Sequence, residues 1–509
     1  MKTLLLSTLL CLGSLSLYGA DYRLTTVAGG NWDTRNWQLE PGTGPGGAFP
    51  GANSSMTDSI LDISGGTMTI FLNGDRTVMN LGKTGGNNTR FQNTEGQSDT
   101  LTVTGDMNVD TGTFLLRSST SEQYPDTRLT VDIKGNLYLG STAPQANTHN
   151  GRLTLGETDA YRNVTLKVGG TTTIQGYAGG ISLASSATPA NTQVHLGRLI
   201  FDLPTLESGN PAVGVTLAAG TLISVASIET TANDTRGTFI GPTTPESGPP
   251  PETARIRIDG GNGAFVYGGR FSYHLAIEKT GDNVQVFSRA NGNSYSEGTV
   301  VTRGVLAITN TSGSGLGTGA AEISGEGVLA GSGRVRLGEG NTVTVKAGGV
   351  IAPGEADRRM NPEIQSFQQL TLDGLNQTAQ APAILEMEEG ASFLFRVDEN
   401  GGSDSLRFLN YQTGGLLLAA GGIRIDISGE LAENTTYTLM TFSADSGLEE
   451  GLVMGSGFDG YMATFHYDDP RAITMTIAAI PEPSTVGLLL ISALGSWCFH
   501  RRTRRGLAG

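Results

Sequence analysis

Leu129-Thr-Val-Asp-Ile133, Lys134-Gly135-Asn136, Leu137-Tyr-Leu139: apolar and polar residues alternate, a glycine interrupts, and the alternation resumes. A period of two places Leu129, Val131 and Ile133 on one side of an extended strand, with Thr130 and Asp132 on the other. The order strand, glycine corner, strand recurs along the chain. Ile60-Leu-Asp-Ile63 leads through Gly65-Gly66 to Thr67-Met-Thr-Ile70, and Leu101-Thr-Val103 through Gly105 to Met107-Asn-Val109. Val164-Thr-Leu-Lys-Val168 leads through Gly169-Gly170 to Thr173-Ile174. The corner glycines Gly65, Gly105, Gly135 and Gly169 follow one another at intervals of 40, 30 and 34 residues. Glycine permits a sharp bend there. One such unit cannot bury its apolar side alone, whereas stacked units can. The pattern predicts an all-β chain folded as a parallel β-helix. An antiparallel sandwich or barrel, also built from short regular strands, is the alternative, and the uneven spacing is what favours it.

Composition agrees with β structure. Glycine supplies 74 of 509 residues, about twice its average share. Lysine and glutamate are scarce, and long stretches of helical period are almost absent, with residues 358–370 read as one short helix. Gly241-Pro-Thr-Thr-Pro-Glu-Ser-Gly-Pro-Pro-Pro251 is a semi-rigid connector between β regions 21–240 and 252–480, or a long loop leaving one continuous solenoid. The doublet Asn31-Trp32 and Asn36-Trp37 offers two aromatic faces for sugar rings. Plugging the open end of the β stack is the expected role.

Thr299 to Gly354 reads TVVTRGVLAITNTSGSGLGTGAAEISGEGVLAGSGRVRLGEGNTVTVKAGGVIAPG. With its Gly304-Val-Leu306, Gly315-Leu-Gly317-Thr-Gly319, Gly327-Val-Leu-Ala-Gly331-Ser-Gly333 and closing Pro353-Gly354, it resembles the autotransporter-associated β-strand repeat. The resemblance covers 56 residues and implies a right-handed β-helical passenger on a cell surface. No translocator barrel follows it, so secretion by such a barrel is not implied.

The two ends carry the export signals. Lys2, the apolar run Leu4 to Leu17, and the small residues Gly19 and Ala20 have the order of a secretory signal peptide, with cleavage expected after Ala20. At the other end, Pro481-Glu482-Pro483-Ser484 precedes an uncharged apolar run, Thr485 to Phe499. Arg501, Arg502, Arg504 and Arg505 follow. A helix over that run spans roughly 22 Å, short of a hydrocarbon core of about 30 Å. The arginines orient it with their own side cytoplasmic and the body of the chain outside. The order Pro-Glu-Pro, short apolar helix, arginine cluster resembles the PEP-CTERM sorting signal. The resemblance covers about the last 30 residues. It implies a transient anchor processed by an exosortase-type membrane enzyme that recognises Pro481, Glu482 and Pro483. It also implies a host with an outer membrane and extracellular polysaccharide, the latter being the expected partner.

Charge and chemistry narrow the rest. The chain has 33 basic and 48 acidic side chains. Without Lys2, the tail arginines and Glu482, the exported body is near −19, a poor surface for nucleic acid. The two cysteines, Cys11 and Cys498, lie in the terminal apolar runs, so the body can build no disulfide and no cysteine nucleophile. Gly42-Thr-Gly44-Pro-Gly46-Gly47 fits GxGxxG in letters only, since Pro45 spoils the turn. His149, His195, His274 and His466 stand apart without ligand spacing. Asp398-Glu-Asn400-Gly401-Gly-Ser-Asp404 and Asp259-Gly-Gly-Asn-Gly263 imitate calcium loops, but lack the spacing and the final bidentate glutamate, and read as turns. Asp468 and Asp469, adjacent in a hairpin, would point to opposite faces and make a poor acid/base pair. No catalytic residue, metal or cofactor is expected. The function expected is that of a non-enzymatic structural or adhesive surface protein. A β-helical polysaccharide lyase or glycosidase is the alternative, because such folds place carboxylates on one sheet face.

Overall fold

The computed structural model describes residues 21–24, 30–34, 38–39, 50, 59–62, 67–84, 88–118, 124, 126–140, 151–156, 163–175, 180–183, 192–202, 213–231, 237–243, 251–354, 366–378 and 383–480. The described chain is all-β, and nearly all of its strand pairs are parallel, as in a β-solenoid. Leu129–Ile133 and Leu137–Leu139 each lie between two parallel neighbours. Leu129–Ile133 pairs in register with Asp99–Val103 on one side and Val164–Val168 on the other. Leu137–Leu139 pairs likewise with Met107–Val109 and with 172–174.

A third strand completes each turn. Thr113–Arg117 pairs with Asn88–Asn93 and with Arg152–Leu155, which in turn pairs with Gly180–Leu183. Three faces therefore wind around one apolar interior. The first two belong to one 26-stranded sheet, and the third to a 10-stranded sheet continued, after residue 334, by a 6-stranded one. In four turns a single strand runs through the corner between the first two faces: Gln193–Asp202, Leu222–Thr230, Thr299–Ile308 and Ala321–Gly331. One hydrophobic cluster extends from Trp32 to Ile477. Across the proline-rich segment 241–251 the pairing continues, with Leu222 opposite Arg255 and Phe239 opposite Phe271. The register stacks like side chains: the rings of Phe239 and Phe271 lie 5.1 Å apart, and those of Phe408 and Phe442 4.8 Å apart.

The corner glycines have a cause beyond the bend expected of them. Gly105, Gly135 and Gly170 do not have positive φ. A Cβ on Gly170 would instead lie 2.6 Å from both the Gly135 carbonyl oxygen and Asn136 Oδ1, and one on Gly135 would strike the Gly105 carbonyl. The chain does bend at 104–105, 134–135 and 169–170, and glycine is required there because successive turns touch.

The residue after the corner carries the next layer of order. Asn80 Oδ1 accepts from the Asp106 amide at 3.0 Å, Asp106 Oδ1 from the Asn136 amide at 2.7 Å, and Asn136 Oδ1 from the Thr171 amide at 2.9 Å. Each side chain thus satisfies a backbone donor of the next turn where the ladder is interrupted by the corner.

Both ends depart from the parallel pattern. Asp21–Leu24 pairs antiparallel with Gln38–Leu39, and Trp32 is buried beside it, donating its indole N–H to the Pro50 carbonyl at 3.1 Å. That burial gives Trp32 no face for a sugar; Asn36 and Trp37 lie outside the described residues. At the far end Tyr461–His466 and Ala472–Ala479 form an antiparallel hairpin against Thr436–Phe442. The short helix expected over 358–370 runs into the strand Gln369–Asp373, with 355–365 outside the described residues.

Candidate functional site

The signal-cleavage residue Ala20, the sorting residues Pro481, Glu482 and Pro483, and the cluster Arg501, Arg502, Arg504 and Arg505 all lie outside the described residues. The polar constellations of the solenoid itself are described.

The most developed one lies on the outer side of the third face. Parallel pairing sets Arg334–Val335 beside Gln369–Asp373, and that beside Ser405–Leu409. Leu370 and Leu372 point into the core, so Asp373 points outward. There it meets Arg334 at 2.5 Å, Arg336, and the Asn410 amide at 2.6 Å. The Asp373 side chain is fully shielded, while the two guanidinium groups remain about a quarter exposed. Burial pushes the Asp373 carboxyl up. The hydrogen bonds from Asn410, Arg336 and Arg334 outweigh that and hold it below the ordinary aspartate value. With the Leu375 amide donating as well, at 3.2 Å, the carboxylate is saturated by four donors; it is an ion-pair clamp between turns, and has no free lone pair directed at a substrate.

A second constellation is interior. Lys279 follows Leu275 and Ile277 inward and is completely buried. Its ammonium donates to the carbonyls of Gly281 and, at 3.1 Å, Arg303. Nearby Gln285 receives the Ile228 amide at 3.0 Å and returns a bond to the Ile228 carbonyl at 2.8 Å. This side-chain amide thus acts as a piece of strand between turns. Burial lowers the Lys279 pKa to about 8. An unfolded lysine binds its proton up to its ordinary value of 10.5. Between these values the unfolded state holds more protons, so this group makes stability rise with pH from about 8 to about 10.5. Lys279→Met is expected to abolish that rise, worth about 2–3 kcal/mol. Denaturant unfolding of both proteins across this pH range checks it; parallel curves would exclude it.

The remaining candidates resolve into turns and surface pairs. Asp398 Oδ1 accepts from the amides of Asn400 and Gly402, at 3.0 and 2.8 Å, and so closes its own loop. Asp469 does the same with the Arg471 amide at 2.8 Å, and Asp468 is exposed beside it. His274 Nδ1 lies 2.6 Å from Glu297. Burial raises the Glu297 pKa, but bonds from His274 and Ser296 bring it below the ordinary value. His466 meets Thr476 at 2.9 Å, His195 is exposed, and His149 lies outside the described residues. Among the described residues no three His, Cys, Asp or Glu side chains are placed to hold a metal ion.

Sequence reading missed both the Asp373 clamp and the corner ladder. The ladder had a signal, the Gly-Asx pairs Gly105-Asp106 and Gly135-Asn136. The clamp had none, because 37 to 39 residues separate its members. No protein-family model matches the chain, and no curated protein matches it.

Proposed function

We propose that this chain is an exported, non-enzymatic structural or adhesive protein of the cell surface or extracellular matrix, and that it is sorted through its C-terminal tail. The supporting observation is the main apolar core, which among the described residues runs from Trp32 to Ile477, with turns resting on their neighbours as in a solenoid. The solenoid is right-handed in this reading, as parallel crossover connections nearly always are. Some of its ion pairs join carboxylates to arginines of a neighbouring turn, Asp373 with Arg334 and Arg336, Glu278 with Arg255 and Arg257. Such pairs join turns together; they are not the opposed carboxylates of a glycosidase.

Export through a signal peptide ending at Ala20, a host with an outer membrane, extracellular polysaccharide as partner, and processing by an exosortase-type enzyme complete the proposal. The two prolines keep the segment before the apolar run extended, where a membrane-embedded enzyme can grip it. Replacing Pro481, Glu482 and Pro483 together with alanine is expected to leave export intact and to trap a full-length, membrane-bound form. C-terminal mass spectrometry of the mature surface protein reads this directly, and an intact Gly509 would refute processing. Cleavage of a glycan by the purified protein, abolished by one carboxylate substitution, would overturn the non-enzymatic part.

A further inference from the structure

Five of the ten large hydrophobic side chains that stand exposed among the described residues, Leu417, Val453, Met454, Met462 and Ile480, gather at the C-terminal end of the solenoid. On the first face the outward column runs Glu322, Thr344, Glu386 and then Leu417. On the second face it runs from a packed stack of valines, Val284, Val305, Val328 and Val350, through Ser392 and Arg424 to Val453. On the terminal hairpin the paired threonines Thr464 and Thr476 give way to Met462 and Ala478. At the end of the solenoid the outward positions Leu417, Val453 and Met462 are thus aliphatic, one on each face, while the cross-turn row Thr436, Thr476 and Thr464 stays polar to the edge strand. Leu417, Val453, Met462 and Ile480 are 43, 44, 57 and 50 % exposed. Met454, whose sulfur receives the Ala463 amide at 3.2 Å, joins them at the rim.

This end is also open. Between Thr436–Phe442 on the third face and Leu452–Met454 on the second, the chain passes the first face without forming a strand. A cavity of about 630 Å³ is left beside the edge strand Leu416–Leu418.

We infer that this collar seats the end of the solenoid in a zwitterionic lipid interface. The inference rests on the reading of the tail as membrane-inserted. Three features select this occupant. The aliphatic residues lie on all three sides of the last turn, as end-on contact with a planar interface requires, whereas a protein docking from the side would need one face. The chain leaves the described structure at Ile480, and only Pro481 to Ser484 separate it from the apolar run beginning at Thr485. Four extended residues span at most about 14 Å, so the collar is held against whatever the tail enters. Glu449, Glu450 and Asp459 are exposed at the same end, which disfavours a strongly anionic surface. Aliphatic side chains at an interface contribute through the apolar area they remove from water.

The test uses the full chain in phosphatidylcholine nanodiscs, with Cys11 and Cys498 replaced by serine. Nitroxides are placed singly at Met462→Cys, Val453→Cys, Leu489→Cys in the tail, and Asn108→Cys on an exposed, distant turn. The readout is accessibility to oxygen, which concentrates in lipid, relative to a water-soluble nickel chelate. The collar sites are expected to show a ratio several-fold above Asn108→Cys, approaching that of the tail site. A lipid-exposed tail site with collar sites as watery as Asn108→Cys overturns the inference and leaves the tail reading standing. A watery tail site with lipid-exposed collar sites supports the inference and sinks the tail reading. Spin–spin broadening between copies at Met462→Cys, with no gain in oxygen access, identifies a second copy as occupant and overturns the lipid assignment. In vesicle partitioning, the combined Leu417→Glu, Val453→Glu and Met462→Glu variant of the full chain is expected to bind roughly tenfold more weakly. Unchanged partitioning also overturns the inference.

Discussion

Gly135→Val is expected to destabilise its turn by about 3 kcal/mol or more, whereas Gly261→Ala is expected to be nearly neutral. At Gly135 the added carbon would enter the space of the Gly105 carbonyl and Asp106 Oδ1. Backbone on both sides is fixed by ladder bonds, among them Gly135 N–H to Gly105 C=O at 3.0 Å and Gly170 N–H to Gly135 C=O at 2.9 Å. The collision therefore cannot be relieved by one side chain swinging away, and overpacking of this kind is costly. At Gly261 a Cβ would meet nothing within 4 Å, so the pair of variants separates close approach from a general intolerance of substitution. Because repeats can open separately, the measurement is hydrogen exchange resolved by segment. Loss of protection should centre on residues 99–139 and 164–175. A uniform loss over the chain, or equal effects at Gly135 and Gly261, would contradict the stacking account.

Asp373→Ala is expected to cost about 2–4 kcal/mol. It leaves Arg334 and Arg336 partly buried beside each other without their shared counter-ion, and their partial exposure tempers the penalty. The effect has a pH signature. The folded-state pKa lies below 3.8, so the carboxylate's stabilisation is fully present above the unfolded value and is lost as pH falls through the folded one. The difference between wild type and Asp373→Ala should be constant from neutral pH to about 4 and shrink below that. A Arg334→Ala, Asp373→Ala double variant should lose less than the sum of the singles, because it removes a charge as well as its partner. Strict additivity, or a difference that shrinks between pH 5 and 7, would show that the clamp does not act as an ion pair.

Much of the fold is legible in Leu129-Thr-Val-Asp-Ile133 and its relatives, because alternation on a half-buried strand is a direct imprint of the interior. The third face alternates at Met68–Leu72 and Arg152–Leu155, but its strand Thr113–Arg117 is less legible for a physical reason. Phe114, Leu115 and Leu116 are buried consecutively, so both sides of that strand are covered and the period of two disappears. The corner glycines could be located but this further cause could not, since a close approach between residues 30 or more apart leaves no local trace. Parallel pairing itself was one of two readings, because alternation alone does not give strand direction. The terminal hairpin was foreseen at Asp468 and Asp469, but not the antiparallel pairing of Tyr22 with Leu39. The clamp at Asp373 depends on register across loops of unequal length, which spacing in the sequence does not encode.

The stacking of turns also has a mechanical side. Among the described residues the second face counts sixteen levels, from Asp21–Leu24 to Leu452–Met454. Fifteen steps of about 4.8 Å make a column of roughly 72 Å. A pull along that axis is borne by the hydrogen bonds between turns and not by the covalent backbone. Failure at an end detaches one turn while the rest of the column stays loaded and intact. Each detached turn shortens the column by one step but frees 22 residues, as between Thr299 and Ala321, or 42, as between Val343 and Leu385. Extended, that is about 75–140 Å of slack per step. A tether made this way lengthens under load turn by turn, dissipating work at each release, and its terminal caps set the force at which the first turn lets go.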